Sequence, residues 1–134
     1  MNLVLKITPL LLFLTSGLFF IHHNQDTISV TSLSKKWTLS EYKYLTFSQA
    51  PSKKERNDYL HLQSDMTFSA VTEGVKEWGK WRLDAKKKRI YLSQEGQAGE
   101  LIMIIDDLSP KQLVLIIDDP SDEDTKHLKI CYKS

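Results

Sequence analysis

The chain has a single cysteine, Cys131, among 134 residues. No intrachain disulfide can form, so stability has to come from packing. A dominant charge sign is also missing. Eighteen Lys and Arg stand against 17 Asp and Glu, for a net charge of +1. Nucleic-acid recognition normally needs a basic face, and no such partner is expected. Catalytic signatures are absent as well. There is no G-x-S-x-G, no P-loop and no dinucleotide fingerprint. His22, His23, His61 and His127 are too scattered to supply a zinc site. The acidic run Asp118-Asp119-Pro120-Ser121-Asp122-Glu123-Asp124 lacks the ligand spacing of a calcium loop. The sequence therefore predicts no enzyme, no metal and no cofactor.

One long apolar run is present, at the start. Lys6 precedes the almost wholly apolar stretch Ile7 to Ile21, which ends abruptly at His22-His23-Asn24-Gln25-Asp26. This is the pattern of a secretory signal, at the long end of an h-region. A good cleavage site is missing, so an uncleaved membrane anchor is the alternative reading of residues 1–21. Either way the remainder is exported, to the periplasm or the outer side of a bacterial membrane. Residues 22–34 are polar and rich in Ser and Thr, and read as a linker. Residues 35–134 are the right size for one domain.

Helical periodicity is missing beyond the linker. Short alternating runs take its place, at 36–44, 59–63, 68–72, 78–83, 89–93, 100–106, 112–118 and 125–133. Every link except 46–58 is short, and short links force antiparallel neighbours. Eight such strands in succession predict an all-β, up-and-down barrel, with a two-sheet sandwich as the alternative. In the barrel, the segments at 46–58, 74–77, 94–99 and 119–124 form one end, the mouth. The turns at 64–67, 84–88 and 107–111 form the other. Trp78 and Trp81 fall on opposite faces of one strand, with Trp81 and Gly79 pointing in.

Four stretches also carry a family resemblance. They are KKWTL at 35–39, LHLQSDMTFSA at 60–70, GKWRLDAKKKRIYL at 79–92 and IIDDLSPKQLVL at 104–115. In order and spacing they resemble the hairpins of the bacterial lipocalin-like domain proteins, over nearly all of 34–132. Lys35 and Met66 stand where glycine is usual in those motifs. The resemblance implies a barrel able to hold a small apolar ligand, and it implies no reaction. Inward positions by alternation then give Leu62, Ala70, Gly79, Trp81, Leu92, Met103 and Leu115 as the expected cavity lining. A second reading is an interaction module. Strands 101–106 and 112–118 are apolar on both faces, so Ile102, Ile104, Val114 and Ile116 would form an outer patch to be covered by the segment 22–34, a second copy or an envelope protein.

Overall fold

A computed structural model of the protein describes residues 27–134. The expected signal or anchor, residues 1–21, and the first part of the expected linker lie outside the described residues.

Nine strands follow in order: β1 Lys36–Tyr44, β2 Phe47–Gln49, β3 Tyr59–Leu62, β4 Thr67–Thr72, β5 Val75–Asp84, β6 Arg89–Gln94, β7 Leu101–Ser109, β8 Gln112–Ile117 and β9 Leu128–Lys133. Consecutive strands pair antiparallel from β3 to β9, and β1 pairs with both β3 and β9. The sheet thus closes into an eight-stranded barrel, and the sandwich alternative falls. β2 was expected to be loop. It folds back on the mouth end of β1, with Tyr44 opposite Phe47 and Tyr42 opposite Gln49, and extends the barrel wall on that side.

Alternation holds along most strands. Trp37, Leu62, Ile90, Leu113 and Leu115 are wholly buried, and Trp81 is 2% exposed against 56% for Trp78. The two neighbouring indoles therefore divide as period two requires, one into the core and one outward. Two bulges break the phase. One lies between Leu39 and Glu41, where Ser40 Oγ donates to the Cys131 carbonyl at 3.0 Å. It puts Tyr42, rather than Glu41, opposite Ile130. The other lies between Ile105 and Asp107. It turns Leu108 into the core and lets β7 run on to Ser109, past the expected end at Asp106.

The end opposite the mouth is plugged. Part of the expected linker is a helical turn, α1 Val30–Leu33. Ser29 and Ser32 cap it reciprocally: Ser29 Oγ accepts from the Ser32 N–H at 3.1 Å, and Ser32 Oγ accepts from the Ser29 N–H at 3.0 Å. Leu33 is wholly buried, and Ile28 and Val30 pack on the same core. The Trp37 indole N–H donates to the Leu33 carbonyl at 2.9 Å, so the plug and the first strand are tied by a buried polar contact.

The outer wall of β7 and β8 differs from expectation. Val114 is buried, and Ile102, Ile104 and Ile116 are half-buried, whereas the exposed large apolar side chains are Leu45, Phe47, Val75, Trp78 and Leu101. The register explains part of this. Arg89, Ile104, Ile116 and Lys129 form one row across β6 to β9. Arg89 pairs with Asp118 at 2.9 Å and Lys129 with Asp106 at 3.0 Å. Their aliphatic stems flank the isoleucines on both sides.

Candidate functional site: a cavity in the mouth half of the barrel

Between the plug and the mouth the side chains leave a cavity of about 210 Å³. Its apolar wall includes Leu39, Leu60, Phe68, Ala70, Leu92, Met103, Ile117 and Ile130. Strand alternation supplies these positions, because each lies on the inward face of its strand. Polar groups border it too: Tyr42, Asp58, Thr72, Glu77 and Gln94 on the mouth side, and Tyr132 from the other end of β9.

Of the seven residues expected to line a cavity, Ala70, Leu92 and Met103 do so. Leu62, Trp81 and Leu115 are fully packed core instead. Trp81 is held there by its indole N–H, which donates to the Gln63 carbonyl at 2.8 Å. Gly79 faces inward but has no free space beside it. A Cβ built there would sit 2.0 Å from the Ser93 carbonyl oxygen. The physical reason is depth. Leu33, Trp37 and Trp81 fill the plugged half, so the free space lies about one strand repeat, roughly 7 Å, nearer the mouth. Leu60 takes the place of Leu62, Ile117 that of Leu115, and Glu77 that of Gly79.

Four of the polar lining residues were within reach of the sequence. Thr72, Glu77 and Gln94 each lie two positions mouthward of an inward residue, namely Ala70, Gly79 and Leu92, and Tyr132 lies two positions from Ile130 on the side away from the mouth. Tyr42 was hidden by the bulge at Ser40. Asp58 was hidden because it closes a loop.

Asp58 is 5% exposed, and it is the one buried charged residue among the described residues. Its carboxylate spans to the β4–β5 turn. Oδ2 accepts from the Glu73 N–H at 2.8 Å and Oδ1 from the Gly74 N–H at 3.4 Å. Both turn residues have positive φ, 51° and 78°, which points their amides at one acceptor. The Asp58 backbone is fixed as well. Its N–H donates to the Glu55 carbonyl, and its own carbonyl accepts from Leu39 N–H, both at 2.9 Å.

The two tyrosines differ. Tyr42 O–H donates to the Glu55 carboxylate. Burial, with that hydrogen bond and its charge, pushes the Tyr42 phenol well above its ordinary value of 10.0. In return the bond from Tyr42, helped by Ser52, holds Glu55 below the usual carboxylate range. Tyr132 is enclosed by protein, and its phenol is pushed up by that burial and then by Asp58. Its ring borders the cavity, and its hydroxyl makes no hydrogen bond among the described residues. That oxygen keeps contact with the free space, since among the described residues no wholly buried side-chain N or O is left without a partner.

A broader depression on the outer wall, bordered by Lys43, Asp106, Lys111, Lys129 and Cys131, is more open than the barrel cavity. Cys131 is buried there and its thiol is pushed up by desolvation, which is the opposite of an activated nucleophile. The carboxylates of the 118–124 loop are used locally. Asp119 accepts from Ser121 N–H and O–H, and Asp122 from Asp124 N–H. Among the described residues no group of three His, Cys, Asp or Glu is placed to hold a metal.

No protein-family model matches the chain, and no curated protein matches it. Solved structures do. A lipocalin-like protein from Bacteroides uniformis superposes with a TM-score of 0.54 at 19% identity, covering 77% of this chain and 98% of that one. A DUF4847-family protein from Bacteroides vulgatus superposes at 0.52 with 12% identity, covering 75% of this chain and 92% of that one. At these identities the likeness is one of fold, and the fold is lipocalin-like.

Proposed function

We propose that the protein binds a small, largely apolar molecule in the mouth half of its barrel and carries out no covalent step on it. The cavity of about 210 Å³ carries this reading. Its wall is mostly apolar, with a few polar groups converging at one end, which is how small-molecule sites are built. An apolar cavity of about 150 Å³ is enough to hold benzene, so this one suits a single ring with a short side chain. The lipocalin-like fold supports the same reading, because eight-stranded barrels of this kind sit at the size where one small ligand fits inside. The apolar run at 7–21 supports export, and we place the binding barrel in the bacterial envelope on that basis.

Ala70 provides the test. It lines the cavity from β4, opposite Leu60 and Glu77. Ala70→Phe places a ring in the free space without displacing the wall. Binding of one-ring compounds, read by calorimetry on the full chain, is expected to fall below detection, while the melting temperature holds or rises. A variant that binds as tightly as the parent would move the site out of the barrel.

A further inference from the structure

The cavity has a sign. Two carboxylates, Asp58 and Glu77, border it, and among the described residues no Lys, Arg or His does. The ends of the barrel differ in the same sense. The connecting segments at the mouth, 50–58, 73–74, 95–100 and 118–127, carry ten acidic and four basic side chains. Those at the plugged end, 34–35, 63–66, 85–88 and 110–111, carry one acidic and five basic. A molecule of net charge +1 thus turns an acidic face to whatever enters the barrel. Such a field raises the local concentration of cations and repels anions.

Inside, the charged groups that would meet a ligand are acceptors only, and the neutral polar groups of the lining can accept as well as donate. Asp58 has spent two lone pairs on the turn amides of Glu73 and Gly74, and a carboxylate offers about four. The Tyr132 hydroxyl is enclosed, borders the cavity and has no hydrogen-bond partner among the described residues. The rings of Tyr42, Phe68 and Tyr132 supply faces that attract a cation. A carboxylate ligand would meet two like charges with no cation to offset them. A neutral one would leave both carboxylates without a counter-charge from the ligand.

We propose that the ligand is a small organic ammonium ion, with its apolar body against Leu60, Ala70 and Met103 and its charged nitrogen towards Asp58, Glu77 and the Tyr132 hydroxyl. This rests on the binding reading above and narrows it to one chemical class.

Three probes of matched shape test it on the full chain at neutral pH: 2-phenylethylammonium, 2-phenylethanol and 3-phenylpropanoate, each titrated calorimetrically. The ammonium is expected to bind about tenfold or more tighter than the alcohol, the range of a hydrogen bond to a charged group, and the carboxylate not at all. Glu77→Gln and Asp58→Asn should each lower ammonium affinity more than alcohol affinity, narrowing the gap between the two. Asp58 also holds a turn, so Glu77→Gln, which touches no such contact, decides the matter if the Asp58 variant fails to fold. Alcohol binding equal to the ammonium, or tighter carboxylate binding, overturns the assignment while the binding reading survives. If none of the three binds, the binding reading fails and the assignment fails with it.

Discussion

A methyl group at position 79 has nowhere to go. It would stand 2.0 Å from the Ser93 carbonyl oxygen and 2.9 Å from the carbonyl carbon. These are backbone atoms of the paired strand β6, so no side chain can rotate away. Gly79→Ala must push β5 and β6 apart beside Phe68 and Gln94, its two cross-strand neighbours. The expected cost is about 3 kcal/mol, the upper end for overpacking, read as a lower urea midpoint at unchanged slope. A midpoint equal to the parent's would show that the two strands part freely there. The sequence pattern places this glycine on the inner face of its strand, but does not show what it approaches. That depends on sheet twist, which no residue spacing encodes. Met66 shows the same gap. The glycine usual in that turn is absent, yet Met66 adopts φ 69°, because Asp65 Oδ1 accepts from Thr67 N–H and O–H and holds the turn from the side.

At the scale of elements, α1 has more influence than its four residues suggest. It brings Leu33 to zero exposure under the core and gives the Trp37 indole its acceptor. Leu33→Ala should cost about 3 kcal/mol, as buried leucine truncations do, and should shift Trp37 fluorescence to the red as water reaches the plugged end. Leu45→Ala, at a leucine 69% exposed, is the control, with a change within about 0.5 kcal/mol. An equal effect at both sites would refute the plug. Nothing in the residue pattern signals α1. A single turn is too short to show helical periodicity, and its cap pairs Ser29 with Ser32 where Glu or Gln is the usual signal. The strands were legible for the opposite reason. Alternation over six to ten residues leaves one choice of inner face, so Trp81, Leu92, Met103 and Leu115 fell on the face where the structure puts them. Alternation fails only where a bulge inserts a residue. The bulge at Ser40 exchanged Glu41 for Tyr42 in the candidate site, and that at Asp106 added Leu108 to the core.

For the whole molecule, the closing seam of the barrel is also a wall of the cavity. Tyr132 lies opposite Leu39 and Tyr42 opposite Ile130 across β1 and β9, and both phenols are pushed above their ordinary 10.0, by burial first. A folded-state pKa raised above the unfolded one gives stability that is complete below the unfolded value and is lost as pH rises through the folded one. Glu55, held below its ordinary 4.5 chiefly by the bond from Tyr42, works in the other direction. Its contribution is complete above the unfolded value and is lost as pH falls through the folded one. The Tyr42–Glu55 contact is therefore at full strength between these two ordinary values, and the seam is alkali-sensitive. In a tyrosinate absorbance titration, Tyr42 and Tyr132 are expected to ionise late, together with loss of the barrel's circular dichroism. Tyr132→Phe should remove one late-ionising phenol, and Tyr42→Phe another. Late ionisation undiminished in both variants would mean that the seam tyrosines are open to water. The cavity would then lack the dry wall that a small ligand requires.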